Sequence, residues 1–182
     1  PDSGVPAAIG FAKASGIPYE EGLIKNRYVG RTFISPSQMM REMGVKIKLN
    51  PLREVLEGKR VVVVDDSIVR GTTSAQIVQI LRDAGAVEVH FRVSSPPTVN
   101  PCFYGIDTAS KEELVAANYT VDEIAKMLKV DSLGYLSIKG LVDLLNAPHK
   151  EFCLGCFNCD YPVDVPEQMS RLKLVFGGPK ND

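Results

Sequence analysis

The sequence predicts an α/β domain built around a parallel sheet, and three observations carry that expectation. Val61-Val62-Val63-Val64 is a run of β-branched residues that reads as a strand buried on both faces. The run stops at Asp65-Asp66, and a short polar loop containing Gly71 leads into an amphipathic helix. Val87 to Val93 then alternates as a second strand, ending at Ser94-Ser95-Pro96-Pro97, where the prolines remove ladder donors. In doubly wound sheets the ligand site lies along that carboxyl edge.

The remaining elements follow in order. Pro1-Asp2-Ser3-Gly4 reads as a loop, and with no initiator methionine it suggests a fragment of a longer chain. Val5 to Ser15 has helical spacing, with Gly16 as its C-cap. Ile17 to Ile24 reads as a short strand interrupted by Gly22. Ser35-Pro36-Ser37-Gln38 starts a helix, on which Met39, Met40 and Met43 are packing residues, and Gly44 ends it. Val45 to Leu49 is an edge strand with Lys46 and Lys48 at alternate positions, and Pro51 to Glu57 a helical turn. The central strand comes next, then a helix from Ser74 to Gly85 with Ile77, Val78, Ile80, Leu81 and Ala84 on one face. Ser110-x-x-Glu113 and Thr120-x-x-Glu123 are capping boxes for two short helices. Leu133 to Ser137 is a last strand, Ile138 to Leu145 a helix, and Pro166 to Phe176 a C-terminal helix.

Bulk properties narrow the function class. A chain of 182 residues is long enough for one α/β domain with a core, or for a domain plus an appendage. The net charge of −1 argues against a general nucleic-acid binder, which would carry basic excess. No apolar run approaches the ~18 residues of a membrane span and no signal peptide is recognisable, so a cytoplasmic enzyme is expected.

Three stretches carry chemistry. At the first, Asp65 and Asp66 can accept hydrogen bonds from sugar hydroxyls or help hold a hydrated divalent ion. The backbone N–H groups of the following loop and the helix dipole can hold a phosphate, with Thr72, Thr73 and Ser74 adding hydroxyl donors. The plainer alternative is a buried strand ending in a capped turn. The second stretch, Lys25-Asn26-Arg27-Tyr28-Val29-Gly30-Arg31-Thr32-Phe33-Ile34, combines three cations, two aromatics and a glycine without a clean period. It reads equally as a solvated loop or as a lid whose cations close over an anionic substrate. The third is the set Cys102, Cys153, Cys156 and Cys159, three of them in a C-x-x-C-x-x-C run. Clustered cysteines of a cytosolic protein indicate metal or redox chemistry more often than disulfides.

Val62-Val63-Val64-Asp65-Asp66-Ser67-Ile68-Val69-Arg70-Gly71-Thr72-Thr73-Ser74 resembles the phosphoribosyl-pyrophosphate (PRPP) motif of type I phosphoribosyltransferases. In detail it is similar to the glutamine PRPP amidotransferase family, which three more stretches support: residues 1–4, residues 25–34, and Pro101-Cys102-Phe103-Tyr104-Gly105-Ile106-Asp107. The resemblance runs from residue 1 to about residue 165. It implies the type I phosphoribosyltransferase fold, a mostly parallel doubly wound sheet with helices on both faces, plus a cysteine-bearing C-terminal segment. The domain limits it suggests are 1–145 and 146–182.

The same resemblance assigns roles. Asp65 and Asp66 would contact the ribose 2- and 3-hydroxyls and the Mg²⁺ shell, and Ser67, Ile68, Val69, Arg70, Gly71, Thr72 and Thr73 would cradle the 5-phosphate. Ser3 would lie by the pyrophosphate and Mg²⁺, while Lys25, Arg27, Tyr28 and Arg31 would belong to the loop that closes over PRPP. The implied reaction forms 5-phosphoribosylamine and pyrophosphate from PRPP and ammonia, the first committed step of purine synthesis. Glutamine supplies the ammonia in the full-length enzymes, through a glutaminase half that would precede residue 1. This chain is therefore expected to use free ammonia but not glutamine. One branch of the family carries a [4Fe–4S] cluster, whose pattern matches Cys102, Cys153 and Cys156, with a fourth ligand upstream of residue 1. Cys159 is extra to that pattern and could be a ligand or a bystander; a structural zinc and metal-free thiols are the other readings. Purine nucleotides are expected inhibitors and a tetramer the expected full-length assembly. Alternatives are a type I phosphoribosyltransferase acting on a nucleobase, and a regulator that keeps this fold to sense PRPP or nucleotides. Missing aromatic hood residues weigh against the first, and a missing basic DNA-binding segment against the second.

Overall fold

The structure is a computed structural model describing residues 1–26, 49–108, 110–145 and 151–164. The predicted helix at 35–44, the predicted helix at 166–176, and most of the 45–49 edge strand lie outside these residues.

Helix α1 (Val5–Ser15) has Pro6 in its first turn and ends as expected, with Gly16 at φ 73° donating its N–H to Ala12 O at 3.0 Å. Only the end of the predicted 17–24 strand forms: β1 is Leu23–Lys25, paired antiparallel with β2, Leu49–Pro51. Pro18 has no amide hydrogen for a ladder, and Gly22 is pressed against Leu56, with 2.9 Å from its would-be Cβ to Leu56 Cδ2. Helix α2 (Arg53–Leu56) is the predicted turn and buries Leu56.

The main sheet runs β3 (Arg60–Asp65), β4 (Glu88–Val93), β5 (Ser132–Tyr135), all parallel. On β4, Val89, Phe91 and Val93 are fully buried while Glu88, His90 and Arg92 are half-buried. The apolar row packs with Ile77, Val78 and Leu81 of α3 (Thr72–Asp83) and Ile124 and Leu128 of α5 (Val121–Leu128). Burying such side chains stabilises by about 1.5–3 kcal/mol each, which fixes the strand ends that carry the polar loops. On the other row, Arg60 donates to Glu88 at 2.6 Å, and His90 bridges Glu88 (3.0 Å) and Ser132 Oγ (2.9 Å).

One expectation fails. β3 is not central among the described residues but stands at one end of the three-stranded sheet, and Val61 to Val64 are half-buried rather than buried on both faces. The central position falls to β4, with which β3 shares its full register from Arg60–Glu88 to Asp65–Val93. A cavity of about 500 Å³ lies along β3, walled by Ala8, Phe11, Ile17, Leu23 and Val61.

The later elements match closely. The turn Lys111–Glu113 is 3₁₀, followed by α4 (Val115–Asn118), and α5 starts at Thr120 with the full capping box: Glu123 N donates to Thr120 Oγ1 and Thr120 N to Glu123 Oε2. Ser137 caps α6 (Ile138–Asp143), accepting from Gly140 N at 2.9 Å. Helix α7 is Gly155–Asn158, within the cysteine run.

Candidate active site

β3 delivers Asp65 and Asp66 to the carboxyl edge of the sheet, and the two carboxylates differ. Asp65 is half-buried: its Oδ1 accepts from Asp66 N at 2.9 Å, and its main-chain oxygen accepts from Ser94 N at 2.9 Å and Ser94 Oγ at 3.2 Å. Burial pushes the Asp65 carboxyl above its ordinary range, opposed by the hydrogen bond from Asp66 and reinforced by the Asp66 charge. Asp66 is exposed, and its Oδ1 accepts from Ser67 Oγ at 3.0 Å.

The loop is anchored from below by Ile68, only 2% exposed, and from the side by Val115 N, which donates to Val69 O at 2.9 Å. Arg70 turns outward and meets Glu113 through two bonds, Nε–Oε1 at 3.1 Å and Nη2–Oε2 at 3.3 Å. Gly71 takes φ 80°, a left-handed conformation that costs other residues roughly 1–2 kcal/mol. Helix α3 therefore starts at Thr72, two residues before the predicted Ser74. Thr72 and Thr73 are exposed in its first turn, while Ser74 is buried. Their hydroxyls and the open N–H groups of that turn suit a phosphate.

The Asp2-Ser3-Gly4 turn sits against the end of β3: a Cβ on Gly4 would lie 2.7 Å from Val64 O and 3.3 Å from Asp65 Cα. Ser3 is exposed there, and Lys25 Nζ donates to Asp2 Oδ2 at 2.6 Å. The structure thus brings together Ser3, Lys25, Asp65, Asp66 and the 67–73 loop around one sheet edge. Arg27, Tyr28 and Arg31 lie outside the described residues. Sequence reasoning missed Asp2 as the partner of Lys25 and Ser94 as the support of Asp65. It read Glu113 only as a cap.

Among the described residues no three of His, Cys, Asp and Glu approach closely enough to hold a metal ion unaided. Two carboxylates completed by substrate oxygens and water are how Mg²⁺ is commonly bound, so the hard-oxygen set of Asp65, Asp66 and Ser3 fits that ion. Among the described residues no three thiols meet around one ion, and none of the four cysteines is in a disulfide. They are nonetheless gathered: Val99 N and Asn100 N both donate to Cys156 O, at 2.9 and 3.0 Å, and Tyr161 OH donates to Pro101 O at 2.7 Å. Burial pushes the Cys156 thiol up, and neighbouring Cys102 and Cys153 push it the same way.

No helix among the described residues is long and apolar enough to cross a membrane. No family model matches the chain. Its fold is that of a type I phosphoribosyltransferase, for which the superposition on solved structures is close. The glutamine PRPP amidotransferase from B. subtilis, complexed with ADP and GMP, matches with a TM-score of 0.81 and 56% identity over 92% of this chain and 38% of its own. A second structure, of the allosteric regulatory enzyme of purine biosynthesis, gives 0.82 and 55% over 95% and 38%. In sequence, the amidophosphoribosyltransferase of Synechocystis is 62% identical over 96% of this chain and 35% of that protein. That of Bacillus subtilis is 57% identical over 91% and 36%. The chain is thus similar to amidophosphoribosyltransferases over more than nine-tenths of its own length, and it spans about a third of the length of these relatives.

Proposed function

We propose that this chain supplies the phosphoribosyl-transfer half of an amidophosphoribosyltransferase, converting PRPP and ammonia to 5-phosphoribosylamine and pyrophosphate at the first committed step of purine synthesis. The observation that carries the reading is the acidic pair at the end of β3, followed directly by a loop that opens α3 with exposed Thr72 and Thr73. Asp65 and Asp66 accept from the ribose hydroxyls, and the 67–73 loop holds the 5-phosphate. The C1–oxygen bond to pyrophosphate breaks as the C1–nitrogen bond forms, and the nitrogen gives up a proton. Positive charge develops on the ribose, where the nearby carboxylates stabilise it, and negative charge on the leaving group. Lys25, already 2.6 Å from Asp2 beside Ser3, is within the leaving-group end of the site, and Arg27, Tyr28 and Arg31 complete that role in the closing loop. Mg²⁺ held by Asp65, Asp66 and Ser3 would neutralise pyrophosphate charge. Excluding water protects PRPP from hydrolysis.

The same reading takes residues 1–145 as the transferase domain and 146–182 as the cysteine-bearing segment. Cys102, Cys153 and Cys156 are its proposed [4Fe–4S] ligands, with Cys159 as a further thiol; the hydrogen bonds joining residues 99–101 to Cys156 and Tyr161 support this. Such a cluster would be held by these thiolates. Purine nucleotides as inhibitors of a tetramer extend the reading, supported for nucleotides by the relative complexed with ADP and GMP. In the whole protein glutamine is the ammonia source, and the location is cytoplasmic. The test is Mg²⁺-dependent turnover of PRPP with ammonia. Asp65→Asn or Asp66→Asn should reduce it at least about a hundredfold, as expected when a preorganised charge is removed. Turnover that survives either change refutes the site.

A further inference from the structure

The PRPP motif does not hold its own loop in place. Two consecutive loop residues are tied to one short element outside the motif: Val69 O accepts from Val115 N at 2.9 Å, and Arg70 meets Glu113 through paired bonds of 3.1 and 3.3 Å. Glu113 is itself fixed, because its N–H donates to Ser110 O at 3.0 Å and its Oε2 accepts from Ser110 N at 3.3 Å. Beneath the loop, Val115 and Leu128 form the floor under Gly71, whose would-be Cβ lies 3.8–3.9 Å from their methyl groups. The turn at Gly71 is thus seated on one side and clamped on the other. A planar guanidinium held by a carboxylate fork has a defined direction, which a single bond would not impose.

We infer that Glu113 is a positioning residue for phosphoribosyl binding: through Arg70 it sets the loop that receives the 5-phosphate. This rests on the transferase reading above. The clamp also commits the Arg70 guanidinium away from the phosphate, leaving recognition to main-chain N–H groups and to the Thr72 and Thr73 hydroxyls. The 5-phosphate stays remote from C1 and its charge does not change during the reaction. A loop-positioning residue therefore contributes uniform binding, which appears in KM and not in kcat.

The experiment is steady-state kinetics with PRPP, Mg²⁺ and ammonia on the whole natural protein. Glu113→Gln should raise KM for PRPP about threefold to fivefold, the scale of a half-exposed ion pair, with kcat held within about twofold. Arg70→Met should do the same, and the double variant should be no worse than either single one, since both remove one clamp. Ser110→Ala removes the capping hydroxyl but not the clamp, so it should lower thermal stability and leave KM unchanged. Equal KM values for Glu113→Gln and wild type overturn the inference, as does an additive double variant or a KM shift from Ser110→Ala that matches Glu113→Gln. Wild-type protein that neither turns over nor binds PRPP would instead overturn the transferase reading itself.

Discussion

Gly4→Ala tests the close approach between the Asp2-Ser3-Gly4 turn and the end of β3. At φ −73° the backbone accepts alanine without conformational strain, so the effect is steric. The new Cβ would stand 2.7 Å from Val64 O, about 0.7 Å short of the 3.4 Å at which ordinary contact begins, and 3.3 Å from Asp65 Cα. Both neighbours are backbone atoms of a strand locked in register with β4, so neither can swing aside. The turn must yield. Overpacking of this kind costs about 1–3 kcal/mol, which in a chain of this size lowers Tm by roughly 3–10 °C. The displacement also carries Ser3 and Asp2, with its Lys25 partner, away from Asp65. Because a shift of about 1 Å can cost on the order of a hundredfold in rate, a loss of at least about tenfold in turnover is expected. Gly10→Ala is the control, since its Cβ meets nothing within 4 Å and alanine should stabilise α1 by about 0.5–1 kcal/mol. Thermal melts and PRPP–ammonia turnover measure both. A Gly4→Ala protein that melts and turns over like wild type would refute the packing argument.

Other expectations follow from the charges. Burial raises the Asp65 pKa, so the folded state keeps its proton as pH climbs past the ordinary value of 3.8, where the unfolded chain loses it. Ionised Asp65 therefore destabilises the ligand-free protein at neutral pH. Asp65→Asn should raise Tm at pH 7 while abolishing turnover, and the Tm gain should vanish at low pH; a Tm loss at pH 7 would contradict this. Asp131 is the opposite case. Its carboxylate accepts from Val89 N at 2.7 Å and from Arg82 at 2.5 Å, and these bonds, the backbone one foremost, hold its pKa below 3.8. Its stabilisation is present above that value and is lost as pH falls through the depressed folded pKa. Asp131→Asn should lower Tm by a few degrees at pH 7 and by much less in strong acid, as melts across pH would reveal.

The sequence made the chemistry legible where one short stretch contains both the strand and the ligand-binding groups. Asp65, Asp66, Ser67 and Thr72–Thr73 fall within one stretch of nine residues, so the β-branched run that places them and the loop that exposes them are read together. The capping boxes at Ser110 and Thr120 were legible for the same reason, because their partners lie three residues apart. What was hidden depends on distant pairs. The position of β3 at one end of the described sheet follows from strand order, which valine content does not encode. Helix α3 starts early because Gly71 adopts a positive φ, and that depends on its seat over Val115 and Leu128. The links Lys25–Asp2 and Arg70–Glu113 join residues 23 and 43 positions apart, and nothing in either local pattern indicates its partner.

Tyr161 shows how such a distant pair governs the cysteine-bearing segment. Its ring lies directly over Gly155, leaving no room there for any side chain, and stacks edge-on against Phe103 at 5.2 Å and Tyr104 at 6.0 Å. Its hydroxyl reaches Pro101 O at 2.7 Å, and burial pushes the phenol up to about 12. One side chain thus presses the Cys102 segment onto the helix that carries Cys156. Tyr161→Phe keeps the rings and removes one hydrogen bond, about 1 kcal/mol, so Cys156 should remain shielded. Tyr161→Ala removes the packing as well, which in aromatic truncations costs about 3–5 kcal/mol. Half-buried Cys156 should then be alkylated at a rate approaching that of exposed Cys153, measured by mass spectrometry of the iodoacetamide-treated, metal-free folded protein. Among the described residues, the chain from this segment to Asp65 runs through residues 94–101, where Ser94 N and Ser94 Oγ both donate to Asp65 O. Turnover should therefore fall far less than cysteine protection. If both fell together, the acidic pair and the cysteine segment would have to be treated as one cooperative unit.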